Sequence, residues 1–417
     1  MRDPLRLPSS PGFWRSPLRG PWLTSVLGLV LLAGVTVLFA TGLVSYAAYN
    51  PNLSRVNDTT PDKGLLGFYL FAWPTGPVWL YRLTQGVHVT LGITLIPVLL
   101  AKLWSVVPRL FTLPPARSVA HALERISLLL LVGGGLFEFT TGVLNIQLAY
   151  VFPGSFYPLH FYGAWVFFAA FLAHAVLKAP TAVRAVRGRR AEERYGPGSL
   201  VSPRPAAPTV SRRGALGLVG GGALLLFLTT VGQSLGGPLR RTALLAPRGP
   251  ADPNGGPNGF QINKTAAYAG ITPADTHEDA WRLVVTGRTG TVRLSRAQLL
   301  RLPSHSVSLP IACVEGWSTA DQWWRGVRLR DLAGLVGYDG HAAAVPDVLV
   351  ESLQRHGAFR RAALRANQVA DPRSLLALYV NGEELSADHG HPARVIVPAA
   401  PGVLNTKWVA RLTFGDL

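Results

Sequence analysis

Five long apolar stretches occupy the chain before residue 232, and they limit what this half of the protein can fold into. They lie near residues 22–47, 79–103, 126–149, 156–177 and 215–231. A helix needs about 20 apolar residues to cross the hydrocarbon core of a bilayer, and the first four stretches are that long. The fifth is the shortest, and the apolar core of an export signal is the alternative for it. The sequence therefore predicts a membrane α-helical bundle of four spans, followed by a fifth span that is an anchor or a signal.

Basic residues in the connecting segments predict the orientation of this bundle. The N-terminal segment, the loop after the second stretch and residues 179–213 are rich in arginine, whereas residues 48–78 and 150–155 contain only Arg55 and Lys63. Cytoplasmic loops carry the excess of positive charge. We therefore expect a multi-pass protein of the cytoplasmic membrane, with a cytoplasmic N-terminus and an extracytoplasmic C-terminal part. This distribution accounts for much of the net charge of +18, so we expect no nucleic-acid partner.

Histidines within the predicted spans are the second informative feature. His88 lies in the second stretch, and His160 and His174 lie in the fourth. Residues 160 and 174 are about four helical turns apart, so they face one side at different depths. Ionisable residues inside spans are costly and often functional. Hydrogen bonds between helices are the alternative for each of them.

The histidine pattern resembles that of diheme b-type cytochrome subunits, in which a four-helix bundle carries electrons across the bilayer. The resemblance implies one or two haem b groups, with His88 and His160 as the outer ligand pair. His174 is then an inner ligand, with His121 as its nearest histidine candidate.

The second half of the chain contains the only cysteine, Cys313, within residues 311–318 (IACVEGWS). A single cysteine excludes an intrachain disulfide and a cysteine-based zinc site, both of which need several. An isolated thiol is most often a buried core residue. Here the thiol is predicted at the end of a strand and before a turn, where a thiolate can also bind a soft metal centre.

The segment around Cys313 resembles the molybdenum-binding segment of the sulfite oxidase family, in particular its bacterial single-domain branch. Residues 381–383 (NGE), 388–394 (DHGHPAR) and 405–408 (NTKW) extend the resemblance. In that family one cysteine sulfur ligates molybdenum and the pterin dithiolene supplies two more sulfurs. The resemblance therefore implies that Cys313 is the metal ligand and that four residues hold the pterin and its phosphate: His389, Arg394, Asn405 and Lys407.

Phosphate recognition agrees with these residue types, because arginine and lysine supply the charge-assisted donors that a phosphate ester needs. Asn263, in residues 259–265 (GFQINKT), is a further candidate for a pterin contact. Ordinary turn chemistry is an equal alternative for this asparagine.

The chain thus divides into five predicted segments: a b-type cytochrome-like membrane domain (1–178), a basic cytoplasmic linker (179–213), the fifth span (214–233), a Gly- and Pro-rich tether (234–257) and a molybdopterin-binding oxidoreductase domain (258–417). The last is expected to be α+β, strand-rich and sulfite-oxidase-like. Arg212 and Arg213 open the fifth span and resemble a twin-arginine export signal. They are equally consistent with the positive charge of a cytoplasmic loop.

Together these features predict a membrane-bound molybdenum-cofactor oxidoreductase that performs oxygen-atom transfer on a small substrate. Electrons would pass through b-type haem to or from a quinone or another redox partner. The substrate is expected to be a sulfoxide, an N-oxide or a sulfite-like anion, although Thr319 and Ala320 stand where sulfite-oxidising members begin an arginine cluster. Two alternatives remain: a sulfite-type oxyanion dehydrogenase, and a non-catalytic haem electron carrier with a vestigial molybdopterin fold.

Overall fold

The computed structural model of the protein describes residues 7–9, 13–58, 60–61, 71–111, 113, 118–146, 156–187, 202, 204–246, 256–338 and 345–417. Much of the predicted cytoplasmic linker and residues 247–255 of the predicted tether lie outside the described residues.

The chain forms two compact units that do not follow sequence order. The first contains Met1–Ala40, Thr90–Val143 and Leu159–Leu228, and the second contains Thr41–Val89, Leu144–Pro158 and Thr229–Leu417. Residues from the helical half therefore belong to the same unit as the C-terminal strands. The domain boundaries derived from the sequence stay a prediction.

Five long helices coincide with the predicted apolar stretches. They are α1 (Pro21–Ala47), α2 (Leu80–Val106), α3 (Val119–Asn145), α4 (Tyr157–Arg187) and α5 (Arg212–Leu228). All five regions are long and apolar enough to cross a membrane by length and composition. The prediction of several apolar helices in this half is confirmed, whereas the number of spans and their insertion in a membrane stay predictions.

Leucines spaced four residues apart hold the first two helices together within the first unit. Leu23, Leu27 and Leu31 of α1 are buried in one cluster with Leu95 and Leu99 of α2. Residues four apart lie on the same face of a helix, so each helix presents a continuous apolar stripe to the other.

Short helices connect the elements of the second half. They are α6 (Gly232–Leu235), α7 (Ala266–Ala269), α8 (Pro273–Thr276), α9 (Arg296–Leu300), α10 (Leu329–Gly334) and α11 (Ala366–Ala370). The 3-10 turns are Pro51–Leu53, Val107–Phe111, Gly237–Thr242 and Ala387–His389.

Ten strands build the C-terminal part. They are β1 (Leu283–Gly287), β2 (Gly290–Leu294), β3 (His305–Leu309), β4 (Gln322–Arg328), β5 (Val348–Ser352), β6 (Arg361–Leu364), β7 (Leu375–Val380), β8 (Glu383–Glu384), β9 (Arg394–Ile396) and β10 (Val409–Phe414). One sheet has the order β2-β1-β10-β5-β6, and the other has the order β3-β4-β7-β8 with β9 also paired to β7. The strand-rich α+β prediction for this part is confirmed.

The smaller apolar core of this part positions the chain around Cys313. Trp324 of β4 is fully buried with Leu309, the last residue of β3, and with Leu375 of β7 and Ile396 of β9. The Trp324 Nε1–H donates to the Leu309 carbonyl at 3.0 Å. This core therefore fixes the point at which the chain leaves β3 and enters the Cys313 loop.

Candidate active site around Cys313

The Cys313 thiol lies on a tight loop that follows β3. The Cys313 N–H donates to the Trp317 carbonyl at 2.8 Å, and the Gly316 N–H donates to the Cys313 carbonyl at 3.1 Å. Gly316 has a φ of 90°, which glycine adopts without the steric cost of a side chain. Ala312 forms an isolated bridge with Pro401. These contacts hold Cys313, which is only 3% exposed, on a well-defined backbone.

Arg394 and Lys407 are both buried in this part of the structure. Lys407 Nζ donates to the carbonyl oxygens of Lys264 at 2.5 Å and Asp388 at 2.8 Å. Burial lowers the pKa of Arg394 to about 9, and burial together with the charge of Arg394 lowers the pKa of Lys407 well below its ordinary value. A thiolate at Cys313 would oppose both shifts, so its charge would act on both cations.

His389 lies against the same cations. Its ring stacks on Phe260 with the centroids 3.7 Å apart, and its Nε2 lies 2.8 Å from the Asn258 carbonyl oxygen. Because a carbonyl only accepts, Nε2 carries the proton and donates. Burial and the charges of Arg394 and Lys407 lower the pKa of His389 to about 3. The imidazole is therefore neutral at physiological pH, and its bond to Asn258 is also one that an ordinary turn histidine makes.

The two asparagines predicted to contact the pterin occupy different positions. Asn405 is buried, and its Oδ1 accepts from the Val397 N–H at 2.8 Å, which leaves its amide N–H groups as the donors of that side chain. Asn263 is half-buried and directly precedes Lys264, whose carbonyl accepts from Lys407. Asn263 thus adjoins a carbonyl that accepts from Lys407, whereas Asn405, two residues before Lys407, is held by the Val397 backbone.

Comparison with known proteins gives this site a family context. Residues 269–416 match the family model described as the oxidoreductase molybdopterin binding domain. Residues 269–416 are a molybdopterin-binding domain. Cys313, His389, Arg394, Asn405 and Lys407 all fall within these limits, and Asn263 lies just before them.

Curated relatives of the molybdopterin-binding domain include sulfite oxidases and a nitrate reductase. Mitochondrial sulfite oxidase of Rattus norvegicus is 30% identical over 159 residues, which cover 32% of this chain and 29% of the relative. That of Drosophila melanogaster is 29% identical over 230 residues, 46% of this chain and 39% of the relative. Nitrate reductase [NAD(P)H] of Hordeum vulgare is 40% identical over 95 residues, 21% of this chain and 10% of the relative. The chain thus spans less than half of the length of each of these relatives.

A solved structure, the sulfane dehydrogenase SoxCD from Paracoccus pantotrophus, matches 34% of this chain and 39% of its own chain. The sequence identity is 23% and the TM-score is 0.29.

Among its described residues, the molybdopterin-binding domain contains buried cations as well as buried polar atoms that lack hydrogen-bonding partners. Lys264 adds a third, half-buried cation, whose Nζ donates to the Ala358 carbonyl at 3.0 Å. Among the described residues, Arg394 Nε and Thr406 Oγ1 are buried without a hydrogen-bond partner. Buried cations and orphaned polar atoms are costly unless something pairs with them. An anionic group such as the phosphate of a pterin would pair with both, so these residues fit that cofactor.

Lys264 was not among the residues predicted for the site. Two features of the sequence could have indicated Lys264. Lysine is scarce in this arginine-rich chain, and Lys264 directly follows the predicted site residue Asn263. The structure brings it to the Lys407 side of the site through its own carbonyl.

The predicted haem ligands His88 and His160 have closely similar surroundings, each within its own unit. His88 Nδ1 lies 3.2 Å from Thr41 Oγ1, and His160 Nδ1 lies 3.0 Å from Thr141 Oγ1. A glycine follows each threonine, and a Cβ atom on Gly42 or Gly142 would lie 3.1 or 3.3 Å from the Cε1 atom of the histidine. The small residue therefore allows each imidazole to approach the neighbouring helix closely.

The helices also contain Glu138, His174 and His121. Glu138 Oε2 lies 3.1 Å from His160 Nδ1, so this carboxylate is paired with a histidine. His174 in α4 and His121 in α3 are each half-buried. Their assignment to an inner haem stays a prediction.

Proposed function

We propose that the chain is a membrane-bound molybdopterin-dependent oxidoreductase of the sulfite oxidase type that transfers an oxygen atom to or from a small substrate. The observation that carries this proposal is that the Cys313 thiol and the cations Arg394 and Lys407 are all buried within residues that match the molybdopterin-binding model. When bound, the molybdenum pterin supplies two-electron oxygen-atom transfer. The chain supplies the thiolate ligand from Cys313 and the charge that neutralises the pterin phosphate.

Each predicted site residue has a distinct part in this proposal. Arg394 and Lys407 bind the anionic part of the cofactor, because both are buried without a carboxylate bonded to them among the described residues. His389 stays neutral, and its stack on Phe260 and its bond to Asn258 fix the ring. Asn405 and Asn263 offer amide donors beside these groups.

The substrate is proposed to be a small oxo compound or oxyanion. The names of the relatives, sulfite oxidase above all, favour a sulfite-like anion. The sequence leaves sulfoxide or N-oxide reduction as the reverse direction of the same transfer. Assays in both directions on the purified full chain distinguish them, with sulfite plus an artificial electron acceptor in one and a sulfoxide plus an artificial donor in the other.

We propose further that His88 and His160 ligate haem b, which exchanges single electrons with a quinone or another partner. Thr141 Oγ1 donates to the Phe137 carbonyl at 2.8 Å, so its single proton is used and it accepts from His160 Nδ1–H. That assignment leaves the lone pair on Nε2, which is the form in which an imidazole binds a metal. Thr41 Oγ1 lies at a similar distance, 3.2 Å, from His88 Nδ1, so His88 can be oriented by the same kind of contact.

The location in the cytoplasmic membrane is part of the proposal. Large apolar side chains of the helices are exposed, among them Leu129, Leu172, Val176, Leu177, Leu224 and Leu225. Exposed apolar surface of this kind is unfavourable in water and is expected of a helix that faces lipid. The arginine distribution then places residues 234–417 outside the membrane.

Exchange of Lys407 for methionine is expected to lower the pterin content of the purified chain by at least about tenfold, because a buried charge-assisted contact contributes about 1.5–3 kcal/mol. Molybdenum and pterin would be quantified on the full chain in mild detergent. Arg301→Met removes an exposed cation of the same domain and is the matched control. Wild-type pterin content in Lys407→Met would contradict the proposed site. Wild-type protein with haem and no molybdenum would instead support the electron-carrier alternative.

Exchange of His88 for alanine is expected to remove haem b absorbance while the molybdenum and pterin content stays at the wild-type level. The imidazole would hold the haem iron, and alanine has no atom to replace it. Reduced-minus-oxidised difference spectra measure the haem. His277→Ala, which removes an exposed histidine of the C-terminal part, is the control. An unchanged haem spectrum in His88→Ala would exclude this histidine as a ligand.

A further inference from the structure

Residues 41–89 lie outside the molybdopterin-binding domain, and their described parts 41–58 and 71–89 are docked on it by buried polar contacts. Asn50 Nδ2 donates to the Ala363 carbonyl at 3.0 Å and to Gln368 Oε1 at 2.8 Å. Trp73 Nε1–H donates to the Ala399 carbonyl at 2.7 Å. Because buried hydrogen bonds of this kind satisfy groups on both partners, the segment is an integral part of this unit.

The same segment covers both neighbours of Cys313 in the chain. Ala312 is buried in one apolar cluster with Tyr49, Trp73 and Tyr81, and Val314 packs against that cluster. Gln85 Nε2 also donates to the Val314 carbonyl at 2.5 Å. The Cys313 loop therefore lies against a wall of side chains from the helical half of the chain. This wall consists of Tyr49, Trp73, Tyr81 and Gln85.

The wall contains two buried tyrosine side chains, Tyr49 and Tyr81. Tyr49 Oη and Tyr81 Oη are 3.3 Å apart, and the two residues are 5% and 0% exposed. The pair has two hydroxyl protons, and their mutual hydrogen bond uses one of them. Among the described residues no acceptor is bonded to the second proton. A buried hydroxyl donor without an acceptor is costly, so the pair is ready to donate to a bound molecule.

The ordinary pKa of a phenol is about 10, so both hydroxyls are protonated donors at physiological pH. Burial raises the pKa of Tyr49 well above its ordinary value, and the neighbouring Tyr81 and the charge of Cys313 raise it further. The influence of Cys313 on Tyr49 also agrees with the packing of Tyr49 against Ala312.

We propose that Tyr49 and Tyr81 bind the oxygen of the substrate at the Cys313 site, so that residues 41–58 and 71–89 complete a site that the molybdopterin-binding domain lacks by itself. The ligand they recognise is a small acceptor of hydrogen bonds, either an oxyanion or a neutral sulfur or nitrogen oxide. This inference rests on the proposed function. It adds that the specificity for substrate comes from the helical half of the chain.

Ligand binding to the full-length chain tests the proposal without turnover. Sulfate serves as an unreactive oxyanion probe and dimethyl sulfoxide as a neutral oxide probe, each measured by the ligand-induced rise in unfolding temperature. Tyr49→Phe and Tyr81→Phe are each expected to weaken binding of the probe that binds wild type by about tenfold. Their molybdenum and pterin content should stay at the wild-type level. Tyr268→Phe, which changes a 44% exposed tyrosine, is the control.

Three results would overturn the assignment. Binding unchanged in both variants would show that the hydroxyls do not contact the ligand. Loss of pterin in Tyr49→Phe and Tyr81→Phe would show that the pair serves packing of the cofactor site. Wild type that holds molybdenum and pterin but binds neither probe would remove the proposed ligand class. Absence of molybdenum and pterin from wild type would instead count against the proposed function itself.

Discussion

Exchange of Cys313 for serine is expected to reduce oxygen-atom transfer by about a thousandfold, which corresponds to about 4 kcal/mol of transition-state stabilisation. A thiolate is a soft ligand suited to a soft metal centre, and the harder serine oxygen does not reproduce it. Arg394 and Lys407 remain in the variant, so pterin should stay bound. The measurement is substrate turnover per bound pterin, in sulfite oxidation and in sulfoxide reduction.

The controls for Cys313→Ser separate loss of the ligand from loss of the fold. Cys313→Ala should be as inactive as the serine variant, because neither supplies sulfur. Ser306→Ala, on an exposed position of β3, should have wild-type turnover. Activity near the wild-type level in Cys313→Ala would show that the thiol is a packed core residue, which is the ordinary role of an isolated cysteine.

Exchange of Trp324 for alanine is expected to lower the free energy of unfolding of the C-terminal part by about 3–5 kcal/mol. The side chain is fully buried, its ring lies 5.7 Å from the Phe260 ring in edge contact, and its Nε1–H satisfies the Leu309 carbonyl. The Arg394 guanidinium lies 5.6 Å from the indole. The variant should therefore lose pterin as well as stability, because the support of a buried cation is removed.

The neighbouring residue provides a matched control for this change. Trp323 is 54% exposed on the same strand, so Trp323→Ala should change the free energy of unfolding by less than about 1 kcal/mol. Denaturant unfolding of the full chain in detergent, followed by near-ultraviolet circular dichroism, measures both variants. Equal losses of stability in the two variants would contradict the role of Trp324 in the core behind Cys313.

The helices were predictable from the sequence because long apolar runs have few alternatives. The stretches near residues 22–47 and 79–103 correspond to α1 and α2, since length and composition alone decide such elements. The match of residues 269–416 was anticipated in the same way, from the segment around Cys313 and the later block that contains Arg394 and Lys407. Local sequence carries both kinds of signal.

The wall beside Cys313 was not predictable from local sequence. Asn50, Trp73 and Gln85 look like ordinary residues of a loop and a helix end, and their partners lie more than two hundred positions further along the chain. Such pairings depend on tertiary packing and leave no periodicity in the sequence. The similar Thr–Gly pairs beside His88 and His160 were equally hidden, since their meaning depends on which helices are neighbours.

The docking of residues 41–89 has a consequence for assembly. In the proposed topology this segment is translocated with the first two helices, whereas the molybdopterin-binding domain follows the fifth. A domain that crosses the membrane already folded and loaded would travel with its Cys313 side uncovered. It would meet Tyr49, Trp73 and Tyr81 only on the far side. The last step in building the catalytic centre would then be a docking reaction between two parts of one chain, and the enzyme would acquire its substrate preference only where its substrate is found.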